Sequence, residues 1–152
     1  MTDPVIRPIE SRDRQAWREL FTAYGVFYET DFSPEVLDGV WAWLMDAAHE
    51  VSALVAEVDT DSGPRLVGFA HLRRLQDTFT AGPGWSLDDL YVSPDHRGAG
   101  IARALIAACS ATAHAAGGGT LRWITAADNS TAQGLYDTVA TRTTWVTYEK
   151  ET

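Results

Sequence analysis

A chain of 152 residues is enough for one domain over 1–152, and it would bury roughly two-thirds of the surface that it exposes when unfolded. Its formal net charge of -9 argues against sequence-independent nucleic-acid binding, which rests on clustered Lys and Arg, and suits a cationic partner better. No apolar run is long enough to span a bilayer, and Met1-Thr2-Asp3-Pro4 lacks the basic, apolar and small-residue pattern of a leader. A cytoplasmic location without a membrane partner is therefore expected. The single cysteine, Cys109, has no partner for an internal disulfide, in keeping with a reducing compartment.

In chain order, Val5 to Ile9 reads as an opening strand. A helix capped by Ser11 follows, with Trp17, Leu20, Phe21, Tyr24 and then Phe27 or Tyr28 on one face. Ser33-Pro34 starts a second helix, with Val36, Val40, Trp43, Leu44 and Ala47 as its apolar stripe. The pattern then changes to strands over Val51 to Val58, Arg65 to Leu75 and Trp85 to Val92, separated by turns rich in Asp, Gly and Pro. A helix from Gly100 to Ala116 ends at Gly117-Gly118-Gly119. Leu121 to Ala126 is the next strand, Ser130 with Gln133 offers a capping box for a helix through Val139, and Arg142 to Lys150 reads as a closing strand. The order β-α-α-β-β-β-α-β-α-β joins an antiparallel meander to one helical crossover, which makes the fourth and fifth strands parallel.

The stretch Leu90-Tyr91-Val92-Ser93-Pro94-Asp95-His96-Arg97-Gly98-Ala99-Gly100-Ile101-Ala102-Arg103-Ala104-Leu105 carries the functional signal. Pro94 and Asp95 turn the chain out of a strand, two glycines let backbone N–H groups approach an anion, and a helix N-terminus adds its dipole. A pyrophosphate suits such a loop. A Walker loop would need Lys and Ser or Thr where Ile101 and Ala102 stand, and a dinucleotide fingerprint would need Gly or Ala in place of Arg103.

The stretch resembles motif A of the GCN5-related N-acetyltransferase superfamily, in which Arg or Gln is followed after two residues by Gly, any residue, and Gly or Ala. Arg97, Gly100 and Ala102 match it. The resemblance extends to the element order, and implies a mixed α/β fold with a mostly antiparallel twisted sheet of six or seven strands flanked by about four helices. It implies acetyl-CoA as co-substrate, with the pantetheine arm lying along Leu90, Tyr91 and Val92. The pyrophosphate would rest on amides from Arg97, Gly98, Ala99, Gly100, Ile101 and Ala102. Asn129 falls where the family often contacts the coenzyme, and Tyr136 where it often protonates the departing thiolate. Asp88-Asp89-Leu90-Tyr91-Val92 and Asn129 to Tyr136 look most like the histone and polyamine acetyltransferase branch. Where many relatives carry Gly-Phe or Gly-Tyr, this chain has Val139-Ala140-Thr141.

Acetyl transfer to a protonated amine needs a base. Asp88 and Asp89 are the candidates, pointing to opposite faces by strand alternation. Asp89, sharing a face with Leu87 and Tyr91, is preferred, with a structural carboxylate as the alternative for either. The oxyanion donor would be the backbone N–H of Tyr91 or Val92. Tyr136 has a core tyrosine as its alternative. His71 is a candidate to line the acceptor cleft, or is an ordinary hydrogen-bonded strand histidine. Glu29 and Asp31, near Glu35 and Asp38, would form an acidic rim for a polyamine, an aminoglycoside-like amine or a lysine side chain of a peptide. No metal is expected, since His49, His71, His96 and His114 lack ligand spacing. Trp41 and Trp43 read as core or as a contact within a homodimer. A non-catalytic acyl-CoA sensor of the same fold and a transferase of longer acyl groups remain alternatives.

Overall fold

The computed structural model describes residues 3–152; Met1 and Thr2, part of the leader argument, lie outside them. Five strands form one sheet in chain order: β1 (Val5–Pro8), β2 (Val51–Thr60), β3 (Gly63–Asp77), β4 (Gly82–Val92) and β5 (Leu121–Arg122). The first four are antiparallel neighbours and β5 joins β4 in parallel, as the crossover requires. Four helices, α1 (Arg14–Phe27), α2 (Pro34–Met45), α3 (Ile101–Ala115) and α4 (Ser130–Val139), complete the fold. Among these residues no helix is long and apolar enough to cross a membrane.

The sheet separates two apolar layers. On one face Trp17, Leu20 and Phe21 of α1 and Leu37, Trp41 and Leu44 of α2 pack on Val55 and Phe69. On the other, Ile101, Leu105, Ile106 and Cys109 of α3 pack on Ala56, Val67, Leu72, Leu87 and Val92. The α2 stripe is rotated from the sequence reading: Leu37 and Trp41 are buried, whereas Val36 and Trp43 are exposed. Trp43 stacks instead on His49, with centroids 5.1 Å apart.

Three expectations at the helix ends and in the sheet are corrected. Ser11 does not cap α1; a 3-10 turn (Ser11–Asp13) intervenes, and Asp13 Oδ2 accepts from the Glu10 amide at 2.8 Å. Asn129, in place of Ser130, caps α4 by accepting from the Ala132 amide at 3.2 Å, while Gln133 donates to the Ala126 and Ala127 carbonyls. The sheet has five strands, fewer than six or seven: β5 stops at Arg122, and Arg142 to Lys150 has no strand partner. Strand propensity alone cannot hold a segment whose backbone finds no ladder.

Asp13 is only 5% exposed. Burial would raise its carboxyl pKa, yet the Arg7 guanidinium, at 2.8 and 2.9 Å, and the Glu10 amide outweigh burial and hold it below the usual range. Arg7 also bonds Glu57 at 2.8 Å, tying β1, β2 and the start of α1 together. Arg7→Ala leaves that carboxylate buried without its cation and is expected to cost about 3 kcal/mol at neutral pH. A depressed folded-state pKa stabilises above the unfolded value near 4 and is lost as pH falls through the folded pKa. The gap between wild type and variant in urea denaturation should therefore be widest at neutral pH and narrow below about pH 4. A gap independent of pH would remove Asp13 from the account.

Candidate active site

β4 and β5 pair only at Trp85↔Leu121 and Ser86↔Arg122, and beyond that the strands part. From Leu87 to Val92 the backbone groups of β4 that face β5 therefore have no strand partner. The gap is a cleft of about 700 Å³. Its walls are Leu87, Asp88, Leu90, Tyr91 and Val92 of β4, Trp123 to Thr125 after β5, and Asn129, Ala132, Leu135 and Tyr136 around α4, whereas Asp89 is not among the lining residues. Tyr24, Phe27 and Tyr28 overhang one end from α1.

The other end is the loop into α3. Gly98 and Gly100 adopt φ of +80° and +79°, which glycine alone takes at little cost. Gly100 is the N-cap of α3 and makes no side-chain cap, so the first-turn amides remain available to an outside acceptor. A Cβ built on Gly98 or Gly100 meets nothing within 4 Å; the space beside each is open. Arg97 pins the loop to the strand: its Nε donates to the Val92 carbonyl at 2.9 Å, and its guanidinium lies 5.5 Å from the Tyr91 ring centroid. Gly98, Gly100, Ile101 and Ala102 line the cleft, and Ala99 is exposed beside them.

A β-bulge changes the positions of the two acids. The register runs His71↔Asp89 and then Leu72↔Leu87, so Asp88 is the unpaired extra residue. Asp89 consequently shares a face with Tyr91 only, while Leu87 has moved to the α3 face beside Trp85 and Leu90. Simple alternation fails here because a bulge inserts one residue into the count. Asp88 accepts from Arg73 at 2.8 and 3.2 Å and from Ser86 Oγ at 2.6 Å. Burial would raise its pKa, but Arg73 and Ser86 overcome this and hold the carboxyl low, which makes it a poor base.

Asp89 ends a chain of buried donors. Trp17 Nε1 lies 3.0 Å from His71 Nε2, and an indole can only donate, so His71 Nε2 is the acceptor and Nδ1 bears the proton. That Nδ1 lies 2.8 Å from Asp89 Oδ2. Burial and then the Asp89 charge push the Tyr24 phenol well above the ordinary range. His71 is 2% exposed and does not line the cleft as one sequence alternative had it. It is sealed behind Asp89 by Trp17 and Phe21.

Tyr136 lines the cleft with its ring edge against Trp123, centroids 5.5 Å apart. Burial, then the neighbouring Tyr28, raises its pKa, which keeps the phenol protonated. Asn129 lines the same cleft while capping α4. Glu29 and Asp31 are exposed in the α1–α2 turn and are not among the lining residues. Of the remaining acidic cluster, Asp38 is paired with Arg14 and Arg18. Among the described residues no three His, Cys, Asp or Glu gather as a metal site requires. Sequence reading missed Tyr24, Tyr28 and Trp123; the available signal was that the aromatic stripe of α1 becomes phenolic at its C-terminal end, where a core stripe would stay apolar.

An open strand edge facing a helix start with free amides suits an extended ligand that carries a phosphate group. The Acetyltransferase (GNAT) family matches residues 14–139, and the chain belongs to that family. It is similar to D-amino-acid N-acetyltransferase HPA3 of Saccharomyces cerevisiae, 32% identical over 146 residues that cover 96% of this chain and 89% of the relative. Among solved structures it resembles ribosomal-protein-alanine N-acetyltransferase from Brucella melitensis biovar Abortus 2308, at 26% identity and TM-score 0.77, covering 98% and 99% of the two chains. AAC(6')-Iy in complex with the bisubstrate analogue CoA-S-monomethyl-acetylneamine shares the fold at 19% identity and TM-score 0.84, covering 99% of each.

Proposed function

We propose that this acetyltransferase moves the acetyl group of acetyl-CoA to a primary amine by direct attack within a ternary complex. The observation that carries the reading is the junction, in one cleft, of the open β4 edge with the uncapped start of α3. Amides at Gly98 to Ala102 hold the pyrophosphate, Asn129 stands beside the coenzyme, and Leu90 to Val92 pair with the pantetheine arm. The amine nitrogen forms its bond to the thioester carbon, and a β4 amide at Tyr91 or Val92 stabilises the oxyanion. The C–S bond then breaks and Tyr136 gives its proton to the leaving sulfur. The proton lost by the amine passes through water or the Tyr24 hydroxyl to Asp89, whose orientation Trp17 and His71 fix.

For the acceptor, the net charge of -9 and the exposed Glu29, Asp31 and Glu35 beside the Phe27 and Tyr28 overhang favour an amine with additional positive charge, such as a polyamine or a lysine peptide. Similarity to the yeast D-amino-acid enzyme favours a second acceptor class, the zwitterionic D-amino acids. Thiol release from acetyl-CoA with spermidine, a lysine peptide, a D-amino acid and L-glutamate, each at low and high salt, separates them. The cationic reading expects the highest kcat/KM for spermidine or the peptide, falling as salt rises. A salt-insensitive preference for the D-amino acid replaces it with the second. Coenzyme binding without thiol release on any amine assigns the fold to acyl-CoA sensing.

A further inference from the structure

A histidine hydrogen-bonded to a carboxylate invites one assignment, in which the imidazole is the base and the carboxylate holds it in place. His71 and Asp89 have that spacing, with Nδ1 and Oδ2 2.8 Å apart, but their surroundings reverse the roles. An imidazole acts as a base through the nitrogen that carries no proton. In His71 that nitrogen is Nε2, and the indole N–H of Trp17 already occupies it at 3.0 Å. A second proton at Nε2 would face the indole hydrogen across the same short distance.

Burial points the same way. Trp17 is 0% exposed and His71 2%, and neither lines the cleft. Phe21 and Phe69 cover the imidazole, with centroids 4.9 and 4.7 Å away, and Trp41 backs Trp17 at 5.3 Å. The Asp89 side chain, by contrast, is 24% exposed, and its charge acts on Tyr24, a residue of the cleft wall. A proton arriving from the cleft therefore meets this carboxylate before the imidazole. The neighbouring acid, Asp88, is already taken up by Arg73 and Ser86.

We propose that, on the transfer reading above, His71 is a positioning residue for Asp89 and that Trp17 makes it one by setting its tautomer. With Nε2 held as an acceptor, Nδ1–H donates to Oδ2 and fixes the rotation of the carboxylate. The imidazole then has no free nitrogen with which to carry a proton inward. When the amine N–H bond breaks, its electron pair stays on nitrogen and the proton forms an O–H bond with Asp89. It leaves again to water on the cleft side. Neither Trp17 nor His71 touches the reacting atoms.

Nitrogen-15 spectra of the wild type at neutral pH are expected to show His71 as one tautomer, protonated at Nδ1, a measurement for which no variant has to fold. Trp17→Phe keeps a ring in the α1 core and removes the indole donor. It should give both tautomers and lower kcat at least about 10-fold, with KM for the amine within about twofold. His71→Asn keeps an N–H donor near the place of Nδ1 and has no basic nitrogen, so kcat should stay within about 10-fold of wild type, whereas His71→Leu should lose at least about 100-fold. Circular dichroism checks that each variant is folded. A wild-type His71 protonated at Nε2 overturns the tautomer assignment. His71→Asn as inactive as His71→Leu makes the imidazole the base, and a His71→Leu as active as wild type removes the positioning role. A wild type that releases no thiol with any amine, its His71 still protonated at Nδ1, overturns the transfer reading and the positioning role with it.

Discussion

Gly100→Glu is expected to weaken acetyl-CoA binding by at least about 100-fold, or about 2.7 kcal/mol. Gly100 sits at φ +79° as the N-cap of α3, and the space where its Cβ would project is empty of protein atoms to 4 Å. A side chain there therefore meets no wall of its own chain. It enters the volume in which the helix dipole and free amides favour an anion, and a carboxylate repels the pyrophosphate it displaces. Gly100→Ala isolates the backbone contribution, because a non-glycine residue at positive φ costs about 1 kcal/mol and should lower Tm by only about 3 °C. Calorimetry should show Gly100→Ala binding within a few-fold of wild type and Gly100→Glu not binding measurably. Equal affinity in all three proteins would remove the loop from coenzyme recognition.

The loop was legible because its information is local. Two glycines, a turn after a strand and a small residue in the first helical turn are read within a few positions, and the structure places Gly98 and Gly100 in the left-handed conformation that such a sequence needs. The meander from β2 to β4 was legible for the same reason, since Asp, Gly and Pro turns lie between runs of period two. The α1 stripe held through Phe21 because its apolar spacing has one solution. The α2 stripe did not, because aromatic and aliphatic residues at 36, 37, 40, 41, 43 and 44 satisfy two helical faces, and contact with Trp17 chooses the one with Trp41.

The surroundings of Asp88 and Asp89 were less legible because they are made by pairing across the sheet. Asp89 meets His71 at a distance of 18 residues in sequence and Trp17 meets His71 at 54. The bulge at Asp88 depends on the register of β3 against β4, which no property of the Asp88-Asp89 pair announces. Sequence therefore placed both carboxylates on the strand that became β4 but put Leu87 on the wrong side of the sheet. The closing strand at Arg142 to Lys150 failed differently. Its residues have the composition of a strand, but a strand exists only where a neighbouring edge receives it, and in a single chain none does.

Tyr136→Phe is expected to lower kcat by about 100- to 1,000-fold, or about 3 to 4 kcal/mol, with acetyl-CoA affinity within about twofold of wild type. Phenylalanine retains the edge contact with Trp123 and the apolar packing on the α3 side of the core. What it removes is one hydroxyl in the cleft, so an unstable protein is not the expected outcome. Burial and then Tyr28 raise the Tyr136 pKa, and for a group that must act as an acid this sign extends the active range upward. The wild-type kcat should therefore show no alkaline loss from this residue below the ordinary tyrosine pKa of about 10. If chemistry limits the rate, the variant should also lose dependence on leaving-group protonation, seen as a smaller solvent isotope effect. Unchanged turnover would return Tyr136 to a packing role and leave the thiolate to take its proton from water.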